Sequence, residues 1–88
     1  MSKADPESNP GIIFTTAAER FGWNLRIARQ WAGLKQYELA ERINRPPCQV
    51  ALWESGRNCP RLDSIVRLAE ALDIDPRELV RETGGLAG

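Results

Sequence analysis

The sequence contains no histidine and only two cysteines, Cys48 and Cys59, among its 88 residues. Histidine is the commonest metal ligand, and two cysteines without it do not have the composition of a metal site. No candidate nucleophile has a base beside it, and no glycine-rich loop of the phosphate-binding kind is present. We therefore expect no enzyme activity, no metal or cofactor, and no small-molecule ligand.

Long hydrophobic runs are also missing. No apolar run approaches the ~20 residues that a membrane helix needs. The polar start of the chain, residues 1–11, is followed by no hydrophobic stretch of the kind found in a signal peptide. These absences predict a cytoplasmic protein without a membrane span, in which both thiols are reduced.

The length and composition fit one small domain. A chain of 88 residues, 42% of them hydrophobic, can bury a single core without cross-links. Residues 1–11 are polar and are expected to form a flexible arm, followed by one domain over residues 12–83 and a frayed C-terminus over residues 84–88. Ile12–Phe14 are too apolar for a free tail, so we expect them to pack somewhere on the protein.

The net charge is zero, but the charges are unevenly distributed. Residues 20–61 carry eight basic and three acidic side chains, whereas residues 62–88 carry three basic and six acidic ones. A basic face on an otherwise neutral protein is typical of a surface that docks on DNA. Local charge excesses of this size are common, however, so charge alone does not decide the function.

Helical periodicity without any strand pattern predicts an all-α domain of five helices. Helix 1 is expected over Ala17–Ala32, because Thr16 can cap its first turn and Gly33 can end it. Asp75 and Pro76 form a clear helix start. The other predicted helices span Gln36–Ile43, Pro47–Glu54, Leu62–Leu72 and Pro76–Glu82, the last of which ends at Gly84-Gly85.

Apolar positions at helical spacing indicate which side chains form the core. The core positions predicted in helix 1 are Phe21, Leu25, Ala28 and Ala32. Those predicted in helix 4 are Leu62, Ile65, Leu68, Ala69 and Leu72.

The most informative stretch is Gln36–Glu54, in which two short helices are joined by a helix-breaking turn. Pro46 cannot continue the first helix, whereas Pro47 is tolerated in the first turn of the second. The inward positions of the two helices are Leu39, Ala40, Ile43, Val50 and Trp53. Two helices of about two turns each, joined by a three- or four-residue turn, are typical of a helix-turn-helix.

From about Phe21 to Val80 the chain resembles the helix-turn-helix domain of lambdoid phage repressors, Cro proteins and Xre-type regulators. The residues that carry the resemblance are Gly33-Leu34, Gln36, Glu38-Leu39-Ala40, Val50, Trp53-Glu54, Gly56, Pro60, Leu62, Ile65, Leu68-Ala69 and Leu72. The resemblance implies a five-helix, lambda-repressor-like fold in which helix 3 reads double-stranded DNA. It also implies an ion pair between Arg29 and Glu54 that fixes helix 3 against helix 1.

The resemblance assigns two sets of DNA contacts. Base contacts fall on Pro47, Cys48, Gln49 and Leu52, and phosphate contacts fall on Gln36, Ser55, Arg57 and Arg61. The resemblance implies that Gln36 both touches a phosphate and braces helix 3; the alternative is an ordinary surface glutamine. Among the base-contact positions only Gln49 can make the bidentate contact that identifies adenine. With no arginine on helix 3, the sequence indicates either an A·T-leaning site read largely by shape or a domain that has shifted towards binding protein.

Helix 1 carries a second apolar stripe that the core does not explain. Trp23, Ile27 and Trp31 lie at i, i+4 and i+8, on one side of the helix. Such a stripe is costly in water unless it is covered. Either Ile12–Phe14 fold back over it, or it is an interface with a second subunit or another protein.

The sequence therefore predicts a small, sequence-specific DNA-binding transcriptional regulator of the repressor or controller type, acting as a homodimer. The alternative is a protein-interaction module on the same fold, such as an antitoxin or adaptor, that docks a partner protein through the Trp23/Ile27/Trp31 stripe or through helix 3.

Overall fold

The computed structural model describes residues 16–81. Four expectations lie outside these residues: the flexible arm over residues 1–11, the packing of Ile12–Phe14, the stop at Gly84-Gly85 and the frayed end over residues 84–88.

Within residues 16–81 the chain forms five helices and no strand, so the all-α class is confirmed. The helices are α1 (Ala17–Trp31), α2 (Gln36–Arg42), α3 (Pro47–Glu54), α4 (Leu62–Leu72) and α5 (Arg77–Val80). None of them combines the length and hydrophobicity that a membrane span requires. The predicted bounds of α3 and α4 are confirmed, and those of α1 and α2 are each one residue too long at the C-terminus.

Helix α1 begins as its sequence predicts. The Thr16 hydroxyl accepts a hydrogen bond from the Glu19 N–H at 3.1 Å, which satisfies one of the free donors of the first turn. At the other end, Gly33 takes a positive φ of 76°, a conformation that glycine adopts without strain.

The predicted end of α5 at Glu82 is wrong, because the helix stops at Val80. Arg81 has an extended backbone, and the buried Asn24 side chain donates hydrogen bonds to the carbonyls of Leu79 at 3.0 Å and Arg81 at 2.8 Å. These bonds hold the end of α5 on α1. At its start, Asp75 accepts from the backbone N–H of residue 77, and the Arg77 side chain lowers the pKa of the Asp75 carboxyl by hydrogen bonding to it.

The core lies where α1 packs on α3 and α5, and α2 packs on α3 and α4. Its buried side chains are Phe21, Leu25, Leu39, Ala40, Ile43, Val50, Trp53, Leu68, Ala69, Leu72 and Leu79. Two predicted core positions are wrong. Leu62 is 76% exposed because it is the first residue of α4 and lies beyond the core, and Ala32 is exposed because the chain turns away there.

The turn between α2 and α3 is fixed by backbone geometry. Asn44 adopts a left-handed conformation with φ of 58°, and the Arg45 N–H donates to the Ala40 carbonyl at 2.9 Å. Pro46 is extended and Pro47 opens α3. Together, this hydrogen bond and these backbone conformations fix the direction in which α3 leaves the turn.

Candidate nucleic-acid interface

Helix α3 rests on α1 along an unusually close approach at Gly22. A Cβ added at Gly22 would lie 2.4 Å from the Trp53 carbonyl oxygen and 2.7 Å from the Glu54 carbonyl oxygen. Real Cβ atoms do not come this close to backbone, so a side chain at position 22 would push α3 away. The C-terminal end of α3 therefore packs directly against the backbone of α1 at Gly22.

An ion pair holds the same end of α3 from the side. The Arg29 guanidinium donates to both carboxylate oxygens of Glu54, through Nε at 2.6 Å and Nη2 at 3.1 Å. The Arg29 and Glu54 side chains are only 12% and 5% exposed. This is the pair that the sequence predicts, in a two-point geometry that fixes orientation as well as distance.

Two further hydrogen bonds extend this pair into a network. Arg29 Nη1 donates to the Leu34 carbonyl at 2.8 Å, and Gln36 Nε2 donates to Glu54 Oε1 at 3.0 Å. Gln36 is half-buried, so the structure gives it the bracing position next to the end of α3. Its predicted phosphate contact stays a prediction.

The outer face of α3 is available to a partner. Pro47 and Cys48 are exposed, whereas Gln49 and Leu52 are half-buried. The residues that point the other way, Val50 and Trp53, are buried in the core. The structure therefore brings the four predicted base-contact positions onto an anchored helix, and their contacts with bases stay predictions.

Basic side chains follow α3 in the loop before α4. Arg57 and Arg61 are exposed, and within residues 16–81 neither side chain forms an ion pair or hydrogen bond. Ser55 is also exposed, but its hydroxyl donates to the Leu52 carbonyl at 2.8 Å and closes the end of α3. Arg61 and Gln49 line a shared polar groove of about 380 Å³ between α3 and this loop.

The apolar stripe of α1 points away from Arg29, the residue of α1 that bonds to α3. Two residues apart on a helix, Ile27 and Arg29 point in directions about 160° apart. Trp31 is 86% exposed, and Trp23 and Ile27 are half-buried. All three line a groove of about 590 Å³, which Glu78 and Arg81 also line. The structure thus separates a basic and polar surface around α3 from an apolar surface on the far side of α1.

Gly22 and Asn24 are two positioning residues that sequence reasoning missed. A glycine inside a helical pattern indicates a close backbone approach, so Gly22 had a readable signal. Asn24 has a weaker one, because a polar residue between Trp23 and Leu25 is interpreted as a surface residue until the partner carbonyls are known.

Comparison with known proteins agrees with this geometry. A family profile described as helix-turn-helix matches residues 25–79, and no match was found among curated proteins. The restriction-modification controller protein C.AhdI from Aeromonas hydrophila is 40% identical, with a TM-score of 0.68, over 70% of this chain and 94% of that one.

Two other solved structures share the fold at lower identity. The hypothetical transcription factor NHTF from Neisseria is 24% identical with a TM-score of 0.75, over 83% of this chain and 86% of that one. The clp gene regulator ClgR from C. glutamicum is 24% identical with a TM-score of 0.75, over 85% of this chain and 97% of that one. With the profile match spanning more than half of the chain, the protein belongs to the Cro/C1-type, Xre-like helix-turn-helix family.

Proposed function

We propose that the protein is a sequence-specific, DNA-binding transcriptional regulator of the repressor or controller type, which inserts α3 into the major groove. The observation that carries this proposal is that α3 is clamped at its C-terminal end by Arg29 and Gln36, both bonded to Glu54, while its outer face stays open. A rigid helix with a free face is what direct readout of base edges needs. The likeness to a restriction-modification controller supports the same function. We propose that the protein acts in the cytoplasm, at the nucleoid.

Affinity and specificity come from different side chains in this proposal. Arg57 and Arg61, exposed and without an ion pair within residues 16–81, bind phosphates and contribute no sequence information. Gln49 makes the bidentate contact to adenine, while Pro47 and Leu52 contact thymine methyl groups. Cys48 is a weak partner at the same surface. Without arginine on α3 the usual guanine contact is missing, so the preferred site is A·T-leaning and read partly by shape.

The two kinds of contact predict different mutational signatures. Arg57→Ala and Arg61→Ala each remove one phosphate contact, so each weakens binding about equally on all sequences and flattens the slope of log affinity against log salt by about one unit. Gln49→Ala costs about 1–3 kcal/mol on the preferred site and little on random DNA. Fluorescence titrations of both duplexes over a range of salt concentrations measure both effects.

Arg67→Ala is the matched control for the loss of charge, since Arg67 is exposed on α4, outside α3 and the loop that follows it. The control is expected to leave the salt slope of the parent protein unchanged. Base readout by Gln49 is refuted if Gln49→Ala weakens specific and random DNA to the same extent.

We further propose that the groove of Trp23, Ile27 and Trp31 is where two copies associate into a homodimer. Trp31 is 86% exposed and lines an apolar groove, and exposed aromatic side chains of this kind are the usual anchors of a protein interface. Glu78 and Arg81, which also line the groove, form an ion pair with each other at 3.5 Å, so this pair adds no net charge that a second copy would meet.

Replacing both tryptophans tests the dimer. Trp23→Glu combined with Trp31→Glu places four like charges in a twofold interface, and sedimentation velocity is expected to show a monomer in place of the parent dimer. Tyr37→Glu is the control, because Tyr37 is an exposed aromatic residue on α2, outside the groove. A parent protein that sediments as a monomer at high concentration would exclude the dimer interface.

The same apolar groove supports a second candidate function, a protein-interaction module on this fold. In that case the Trp23/Ile27/Trp31 stripe binds a different protein and α3 has weak or no sequence-specific DNA binding. The mutational contrast between Gln49 and Arg57 separates the two functions, because a protein-binding module has no reason to show it.

A further inference from the structure

We propose that Arg45, in the turn before α3, binds a DNA phosphate and replaces the anion-binding capacity that the start of α3 lacks. This inference rests on the proposed DNA-binding function and extends it by one contact. It follows from the chemistry of the α3 N-terminus, the surroundings of Arg45, and the groove that Arg45 shares with Gln49.

The start of α3 has few backbone donors to offer a phosphate. A helix N-terminus usually presents the N–H groups of its first four positions, which here are Pro46, Pro47, Cys48 and Gln49. The two prolines have no N–H, and the Gln49 N–H already donates to the Pro46 carbonyl at 3.0 Å. Of the four positions, only Cys48 keeps a backbone donor for an anion.

Arg45 directly precedes this depleted end and has donors to spare. Its side chain makes one hydrogen bond within residues 16–81, from Nη2 to the Ser64 hydroxyl oxygen at 3.4 Å, a length at which such bonds are weak. It forms no ion pair with Asp63, which lines the same groove. Arg29, in contrast, has Nε, Nη1 and Nη2 all bonded within the protein.

The position of Arg45 is set by the fold. Its N–H is bonded to the Ala40 carbonyl at 2.9 Å, and the following proline restricts its backbone to extended conformations. Arg45 is half-buried and lines the polar groove of about 380 Å³ together with Gln49 and Arg61. A group held beside the base-reading glutamine and a phosphate-binding arginine meets the DNA backbone when α3 enters the major groove.

The test compares four variants by fluorescence titration against the duplex upstream of the protein's own gene and a random-sequence duplex, over a range of salt concentrations. Arg45→Ala is expected to weaken both duplexes about tenfold and to flatten the salt slope by about one unit. Arg45→Lys keeps the charge and is expected to keep the slope. Arg42→Ala is the matched control, because Arg42 lies in the last turn of α2 and its Nη1 donates to the Ala71 carbonyl at 3.3 Å, away from the groove.

Ser64→Ala separates a DNA contact from a purely structural role. If Arg45 acts by packing on Ser64, removing that hydroxyl reproduces the loss seen with Arg45→Ala, and the inference is overturned. If Arg45 binds phosphate, Ser64→Ala keeps the parent salt slope. The inference is also overturned if the salt slope of Arg45→Ala matches that of Arg42→Ala. It is likewise overturned if circular dichroism shows that Arg45→Ala and Arg45→Lys are both unfolded.

The outcome for the parent protein distinguishes this inference from the function on which it rests. A parent that binds neither duplex refutes the proposed function and Arg45 with it. A parent that prefers the upstream duplex while Arg45→Ala behaves like Arg42→Ala refutes the role of Arg45 alone.

Discussion

Replacing Arg29 with alanine is expected to destabilise the fold by roughly 3–5 kcal/mol. The substitution leaves the Glu54 carboxylate, whose side chain is only 5% exposed, without the guanidinium that bonds both of its oxygens. Gln36 remains bonded to one of these oxygens, but a neutral amide does not compensate a buried charge. Urea or thermal unfolding followed by circular dichroism measures the loss.

Arg26→Ala is the matched control for this substitution. Arg26 lies on the same helix, is exposed, and forms no ion pair within the described residues, so its removal is expected to change the free energy of unfolding by less than about 0.5 kcal/mol. The double variant Arg29→Ala with Glu54→Ala is expected to lose less than the sum of its single variants, because it leaves no buried charge. Equal stability of Arg29→Ala and Arg26→Ala would mean that the Arg29–Glu54 pair contributes nothing to the free energy of unfolding.

The second large effect is expected at Gly22, where Gly22→Val should destabilise the protein by about 3 kcal/mol, at the top of the range for overpacked sites. The first carbon of the new side chain would meet the Trp53 carbonyl oxygen at 2.4 Å, and that atom belongs to helix backbone, which cannot move aside cheaply. To relieve the overlap, α3 must move away from α1. That movement also lengthens the Arg29–Glu54 bonds, so DNA affinity is expected to fall with stability.

Helix propensity alone predicts the opposite sign at this position. Glycine costs a helix about 1 kcal/mol relative to alanine, and valine costs less than glycine, so an uncrowded site would gain stability from Gly22→Val. Gln30→Val, at an exposed position of α1, reports the propensity effect of valine by itself. A Gly22→Val protein as stable as the parent would show that α1 and α3 are not in close contact here.

The sequence predicts the helices well where their ends carry strong local signals. The capping residue Thr16 correctly predicts that α1 begins at the next residue. The Pro46-Pro47 pair correctly predicts that α3 begins at Pro47. Helix α5 lacks a comparable stop signal at Val80. Its end depends on the Asn24 side chain, which lies 55 residues away in sequence from its partner Leu79, so no local pattern could reveal it.

The residues of the candidate site also differ in how well the sequence predicts their roles. Arg29 and Glu54 are predicted from the family resemblance, because the ion pair depends on two residues at fixed places in the motif. Periodicity predicts Leu62 in the core, but a periodic pattern does not show where the core ends, and the first residue of α4 lies outside it. The role of Arg45 depends on which donors its neighbours have already used, and that requires coordinates.

If α3 reads a DNA sequence, the unmodified protein must bind its best duplex more tightly than random DNA at physiological salt, and the ratio of these two affinities is the most direct test. The upstream region of its own gene is the first duplex to titrate. The proposed function predicts a dissociation constant of about 10⁻⁸ M or lower on the preferred site and a preference of at least about 10³ over random DNA. Binding no tighter than ~10⁻⁴ M to every duplex tested, which is weaker than the usual non-specific range, would contradict it and would leave α3 as a surface for docking protein.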